Sequence, residues 1–217
     1  KAREVSKEYV ALVHGLTGDQ LGSVEAKIAR IGKFGKFGVV DRRSVVGREA
    51  RTDWEIVCHY KFRDEKFNNL LYPSSEARSY LKNSNIISNS KFSLRSNNNS
   101  AFTKGRLNYL KRQAMNYSLL QVFPKTGRTH QIRVHLKHIG HPVVSDLIYG
   151  PGRLIKFDLL WCPRLFLHAA SLEFAHPKTK KKVKFTSDLP NDLKNAILNL
   201  NRITTNGQRL TQLQNLL

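Results

Sequence analysis

The stretch KTGRTHQIRVHL, residues 125–136, decides the fold expected of this chain. Ile132, Leu136 and Ile139 recur at helical spacing, which predicts one buried face of a helix. Thr129 precedes that helix, and its hydroxyl is expected to cap the first free amides. The stretch therefore predicts a helix that enters at Thr129 and packs its apolar side on a core.

The entry of this predicted helix concentrates groups that bind anions. Free backbone amides at a helix start, together with the guanidinium of Arg128 in the preceding turn, favour a negatively charged ligand. Gly140 is expected to end the helix, and Pro142 prevents its continuation. Arg133 borders the buried stripe, where an arginine either lays its stem along the surface or pairs with a specific carboxylate.

The whole chain is strongly basic. Its 217 residues include 37 lysines and arginines against 16 aspartates and glutamates, for a formal net charge of +21. This balance is typical of a protein that binds nucleic acid, and a basic protein kept soluble by its charge is the alternative. No apolar run approaches the length of a membrane-spanning helix, so we expect no membrane attachment.

The cysteines and histidines predict no metal centre. Cys58 and Cys162 lie in apolar sequence and are interpreted as buried, reduced thiols of an intracellular protein. His135, His138 and His141 are evenly spaced, but the glycine before His141 interrupts the helix and no thiolate assists.

Four segments resemble the RluA-type pseudouridine synthases, in the order that this family shows. Residues 126–150, TGRTHQIRVHLKHIGHPVVSDLIYG, resemble the signature block of the family. Residues 7–15 (KEYVALVHG), 50–55 (ARTDWE) and 167–177 (LHAASLEFAHP) resemble three of its strands. The resemblance implies a single α+β domain over residues 1–217, with a mixed, mainly antiparallel β-sheet and flanking helices.

The family reaction isomerises uridine in RNA: the base is detached from ribose at N1, turned over and rejoined through C5. By resemblance, Tyr9 is the tyrosine that lies against the flipped-out base and takes its C5 proton, and Ile132 packs against that base. Arg133 is the arginine that pairs with the aspartate acting at the sugar. The reaction needs acid, base and nucleophile, so no cofactor is expected. The expected substrate is a structured RNA, ribosomal rather than transfer RNA given the charge.

Two stretches are predicted to contact this RNA. The first is the helix entry, with Arg128, Thr129, His130, Gln131 and Ile132. The second is residues 31–38, IGKFGKFG, a hairpin or loop in which Lys33 and Lys36 alternate with aromatic residues. That alternation indicates either an RNA-facing edge or a solvated edge strand that lysine protects from aggregation.

One family feature is missing from the sequence. The nucleophilic aspartate of the family lies in an Arg-Leu-Asp motif before the tyrosine strand, and no such motif occurs here. Either the chain is a fragment, with the acid that pairs with Arg133 lying outside it, or the protein is a catalytically inactive RNA-binding factor in ribosome or ribonucleoprotein assembly. We expect the first. Asp146 matches a different family position, for which we expect a structural role.

Residues 63–112 form a polar, low-complexity insertion. It is predicted to be a long surface loop with a short helix around residues 75–81, and either binds RNA or ribosomal and assembly proteins or is a neutral expansion. Beyond it, residues 117–123, 166–175 and 182–186 are predicted strands, and residues 190–200 a closing helix. The expected location is intracellular: a mitochondrion or other organelle, otherwise the cytoplasm or nucleus.

Overall fold

The computed structural model describes residues 5–32, 35–63 and 115–203. Within these ranges, strands and short helices follow one another along the chain. The strands are β1 (Val5–His14), β2 (Leu21–Arg30), β3 (Phe37–Val40), β4 (Arg48–Phe62), β5 (Asn116–Pro124), β6 (Leu167–Ala175), β7 (Lys182–Thr186) and β8 (Leu200–Ile203). The helices are α1 (Gln131–His138), α2 (Gly152–Asp158) and α3 (Asn191–Ile197).

All the described strands join one sheet. Its order is β3-β2-β4-β5-β1-β6-β7, and each of these neighbouring pairs is antiparallel. Strand β4 has 15 residues, long enough to pair with β2 along its first half and with β8 along its second. The predicted α+β class is confirmed, with a sheet that is mainly antiparallel.

Strand register decides which side chains share the face under α1. Tyr9 of β1 lies opposite Val122 of β5, which in turn lies opposite Trp54 of β4. Directly opposed residues point to the same side of a sheet, so these three side chains form a row. Thr52 precedes Trp54 by two residues, and its hydroxyl contacts the side chains of Gln131 and His135 in α1. Helix α1 therefore packs on the same face as Tyr9, which we call the α1 face.

The opposite face also carries part of the hydrophobic core. Phe62 from the end of β4 meets Phe157 of α2 and the following Trp161, with ring centroids 5.3 Å and 5.2 Å away. Leu193 of α3 is fully buried in the same hydrophobic cluster. Two helices and a cluster of aromatic rings thus cover this face of the sheet.

Several sequence predictions can be compared with this fold. The three strands predicted beyond the insertion are confirmed. Strands β2 and β3, which precede and follow residues 31–36, pair with each other as a hairpin requires. The closing helix is shorter than predicted, because Leu200 already belongs to β8. Helix α2 and strand β8 were not predicted.

Both cysteines are buried and free, as predicted, and burial raises the pKa of Cys162 to about 12. Apart from Arg63, the proposed insertion with its short helix lies outside the described residues, and so does Lys33. In the described part of the chain, no helix combines the length and the apolar character needed to cross a membrane.

Candidate active site

Gln131 holds the turn between β5 and α1 together. Its amide Nε2 donates to the carbonyl oxygen of Arg51 at 2.8 Å and to Thr52 Oγ1 at 3.0 Å. Its Oε1 accepts the backbone N–H of Arg128 at 3.0 Å and the hydroxyl of Thr126. Both donors and both acceptor positions are in use, and the residue is 4 % exposed. This corrects the prediction that Gln131 contacts RNA: it shapes the turn instead.

The start of α1 differs from the prediction. The residue at the N-cap is His130 rather than Thr129, its backbone has φ 54°, and no side chain caps the helix. Thr129 is exposed. The threonine cap is lost because the Gln131 side chain, packed on β4, organises this turn. The end of the helix is as predicted, since Gly140 adopts φ 88° just after it.

Arg133 is paired within the chain. Its Nε and Nη2 donate to the two carboxylate oxygens of Asp146 at 2.7 Å and 2.6 Å, with the two side chains 13 % and 0 % exposed. Burial alone would raise the pKa of Asp146, but hydrogen bonds from Arg133 and from the amides of Tyr149 and Ile148 outweigh it and lower that pKa. The expectation that the partner of Arg133 lies outside the chain is therefore corrected. The structural role expected of Asp146 fits this geometry.

Tyr149 links this ion pair to the hairpin of β2 and β3. The guanidinium carbon of Arg133 lies 4.8 Å from the centre of the Tyr149 ring. The Tyr149 hydroxyl accepts the backbone N–H of Phe37 at 3.0 Å and lies 2.9 Å from Nδ1 of His130. Lys36, exposed and next to Phe37, is thereby brought towards the entry of α1. The structure thus brings together His130 and Phe37 of this hairpin, the residue that follows Lys36.

Tyr9 lies on the α1 face, half-buried, and packs against the hydrophobic cluster that includes Ile132. The residue opposite Tyr9 on the neighbouring strand β6 is Ala169, which is small and exposed. No large side chain therefore crowds Tyr9 from that position. Two residues earlier on the same strand face is Lys7, whose ammonium would lie 3.3 Å from a Cβ built on Gly127. The tyrosine and the signature turn are therefore neighbours, and Lys7 connects them.

Sequence reasoning missed Lys7 as a site residue. The signal was present, because residues two apart on a strand share a face and Lys7 precedes Tyr9 by two. Arg128, which was predicted, is half-buried and donates from Nε to the carbonyl oxygen of Glu49 at 3.1 Å. Among the described residues, no carboxylate lies within ion-pair distance of its guanidinium. Lys7 and Arg128 give this edge of the α1 face two positive charges.

A sequence profile described as RNA pseudouridylate synthase matches residues 1–138, more than half of the chain. The chain belongs to this family. An uncharacterised RNA pseudouridine synthase of Chloroflexus aurantiacus is 53 % identical over 77 residues, 36 % of this chain and 23 % of that protein. The tRNA pseudouridine synthase C of Haemophilus influenzae is 44 % identical over 79 residues, 36 % of this chain and 33 % of that protein.

Two further proteins are similar to this chain, one in sequence and one in fold. Ribosomal large subunit pseudouridine synthase C of Vibrio cholerae is 43 % identical over 81 residues, 37 % of this chain and 26 % of that protein. The solved structure of human RNA pseudouridylate synthase domain containing 1 has a TM-score of 0.59 at 23 % identity, and covers 98 % of this chain and 66 % of its own. The matched segments thus span between 23 % and 33 % of the curated relatives. The pseudouridine synthase-like fold predicted from the sequence is confirmed.

Proposed function

We propose that this chain carries the RNA-binding and base-handling part of an RNA pseudouridine synthase, which isomerises a flipped-out uridine in structured RNA. One observation supports the proposal above all others: Tyr9, Lys7 and the signature turn with Arg128 meet at one edge of the α1 face. A phenol for the base and cations for the phosphates are the groups that such a reaction needs from this part of the fold.

In the proposed reaction the bond between C1′ and N1 breaks, the uracil turns, and a bond between C1′ and C5 forms. C5 then loses its proton, while N1 ends as an N–H. Tyr9 supports this step because its ring offers a flat apolar face to uracil, and its hydroxyl oxygen can take the C5 proton while its own proton passes on, directly or through water, to N1. Ile132, almost buried in the cluster against which Tyr9 packs, supplies an apolar neighbour for the base.

The cations at this edge have a separate task. Extruding a uridine from its stack costs a few kcal/mol, and contacts to the neighbouring phosphates help to compensate that cost. We assign these contacts to Lys7, Arg128 and Lys36, with Thr129 and His130 beside them. The RNA contact expected of Lys33 stays a prediction, because Lys33 lies outside the described residues.

In the proposed enzyme, the aspartate that acts at ribose is expected to come from a segment outside these 217 residues. Two described aspartates beside the signature turn or its ion pair are engaged: Asp146 by Arg133, and Asp53 by Arg51 and Lys125. Since Arg133 spends two donors on Asp146, we assign it a positioning role. Arg128, which has no carboxylate partner in the described ranges, is the arginine that we expect to meet the incoming acid or a phosphate.

We propose ribosomal RNA as the substrate, since a net charge of +21 suits an extended RNA surface and one relative is named for the large ribosomal subunit. Another relative is named for tRNA, which makes tRNA the main competitor. The corresponding location is inside the cell, in an organelle that makes ribosomes or in the cytoplasm or nucleus. Assembly proteins that bind the insertion are further proposed partners.

Pseudouridine mapping tests the substrate directly. RNA from cells that lack the protein should lose one or a few pseudouridines in large-subunit ribosomal RNA and keep the others. Loss confined to tRNA would reject ribosomal RNA and keep the enzyme. An unchanged map in both RNA classes would overturn the proposed activity.

One observation favours a second candidate, an inactive RNA-binding factor in ribosome or ribonucleoprotein assembly. Arg133 is already neutralised by Asp146, as a purely structural arginine would be. Replacing Tyr9 by Phe in cells separates the two candidates. An enzyme loses its pseudouridine while keeping its RNA affinity, whereas an assembly factor tolerates the loss of the hydroxyl and leaves both ribosome assembly and the map unchanged.

A further inference from the structure

The hydroxyl of Tyr149 is buried and has two hydrogen-bond partners among the described residues, of which only one can accept its proton. Tyr149 is 2 % exposed, and its oxygen receives the backbone N–H of Phe37 at 3.0 Å. An amide N–H can only donate, so this contact uses a lone pair of the hydroxyl and leaves the O–H proton free. Nδ1 of His130, at 2.9 Å, is the other hydrogen-bond partner of this hydroxyl among the described residues.

These two contacts determine the tautomer of His130. A buried O–H without an acceptor is unfavourable, so the Tyr149 hydroxyl donates to Nδ1 of His130. Nδ1 then carries no proton. A neutral imidazole has one N–H, and in this arrangement it is at Nε2. Burial and then the charge of Arg133 lower the pKa of His130, while Asp146 opposes that change; the net effect favours the neutral ring.

The His130 ring is also held in place mechanically. It meets the ring of Phe37 edge-on at 6.0 Å and the ring of Tyr149 edge-on at 5.5 Å. Its backbone is in the left-handed region, which a residue other than glycine adopts at a cost and which fixes the departure angle of the side chain. The side chain is only half-buried, and no described residue is hydrogen-bonded to Nε2.

We propose that Tyr149 is a positioning residue that locks His130 as the Nε2–H tautomer, so that this N–H donates to a phosphate oxygen of the bound RNA. The proposal rests on the proposed function. A phosphate fits because Arg128 lies two residues earlier and because no side chain caps the start of α1, where the Gln131 amide is bonded to the Arg128 carbonyl oxygen and the amides after it lack a side-chain partner. We call the contact from the Tyr149 hydroxyl to His130 the relay. The same hydroxyl binds the Phe37 amide, so it also joins the hairpin of β2 and β3 to the signature turn.

Nitrogen-15 NMR of the imidazoles in the full chain tests the tautomer without RNA. His130→Asn identifies the His130 signals, and asparagine tolerates the left-handed backbone. The wild type should show a single tautomer with unprotonated Nδ1. Tyr149→Phe should give a mixture of tautomers, whereas Tyr60→Phe, which removes another buried hydroxyl on the opposite face, should leave the His130 signals unchanged. A protonated Nδ1 in the wild type would overturn the inference.

Binding of a uridine-containing RNA hairpin at fixed low salt tests the contact. His130→Asn should weaken binding about tenfold, the size of one good hydrogen bond to a charged acceptor. Tyr149→Phe should weaken binding more in the wild-type background than in the His130→Asn background, where only the tie between its hydroxyl and the Phe37 amide is left to lose. Independent, multiplicative effects would overturn the relay. If the wild type fails to bind RNA at all, the proposed function fails while the NMR result still judges the tautomer.

Discussion

Arg133 and Asp146 illustrate what a single ion pair does when it is buried. Two parallel hydrogen bonds join a guanidinium and a carboxylate that are both withdrawn from water, and the backbone amides of Ile148 and Tyr149 complete the carboxylate's shell. The pair holds the chain after α1 against the helix. Because Tyr149 lies under the same guanidinium, the position of the relay to His130 depends on this pair.

Replacing Asp146 by Asn should destabilise the protein by about 3–5 kcal/mol, since it leaves a buried guanidinium without its counter-charge. Urea unfolding monitored by circular dichroism measures this change. Asp192→Asn is the matched control: it breaks the Arg164–Asp192 pair, whose side chains are 43 % and 38 % exposed, and should cost less than about 1 kcal/mol. Equal costs for the two variants would contradict the role given to the buried pair.

The same pair predicts a pH dependence. The pKa of Asp146 is lower in the folded protein than in the unfolded chain, so the stabilisation is complete above the unfolded value of about 3.9 and is lost as the pH falls through the folded value. The difference in unfolding free energy between wild type and Asp146→Asn should therefore be constant between pH 7 and pH 5 and shrink at more acidic pH. A difference that grows on acidification would have the wrong sign.

At the scale of elements, the α1 face depends on close contact between β2 and β4. Gly22 lies opposite Trp54, and a Cβ built on Gly22 would lie 2.0 Å from Cζ2 of the indole. The indole therefore lies flat on the glycine backbone. This contact holds Trp54 in the row that continues through Val122 to Tyr9.

Gly22→Ala should displace the indole and destabilise the protein by about 1–3 kcal/mol, the usual cost of overpacking. Thermal unfolding measures the loss, and the fluorescence of Trp54 should change with it. Gly18→Ala is the control, because nothing lies within 4 Å of the Cβ it would add. Should Gly22→Ala be as stable as Gly18→Ala, Trp54 would not be packed as described.

Sequence periodicity predicts single elements of this fold but not the contacts between them. Periodicity predicted β5, β6, β7 and α1, because apolar spacing reports which side of an element faces a core. The partners of Gln131, His130 and Arg133 could not be predicted in this way. They come from Arg51 and Thr52 on β4 and from Asp146 and Tyr149, which are brought close only by the sheet and the chain reversal after α1. Lys7 was within reach, through strand alternation alone.

For the molecule as a whole, charge should dominate RNA affinity. Each phosphate contact adds about 0.7–0.9 to the slope of log affinity against log salt. Lys7→Gln should reduce that slope by about one contact, measured by fluorescence anisotropy over a range of salt concentrations. Lys184→Gln removes an equal charge on the opposite side of the sheet, because Lys184 lies opposite Glu173 and Glu173 lies opposite Ser6, the neighbour of Lys7 in β1. This variant should change the slope less. Equal losses would mean that the bound RNA does not favour the α1 face.

The central claim is that the edge of the α1 face at Tyr9 handles the uracil during isomerisation. Tritium release from RNA labelled at C5 of uridine measures the proton that must leave in this reaction. The full-length protein should release tritium, and its Tyr9→Phe variant should bind the same RNA with unchanged affinity while release falls by a factor of about 100 or more, the range for a positioned acid or base. Release at the wild-type rate from Tyr9→Phe would contradict the account.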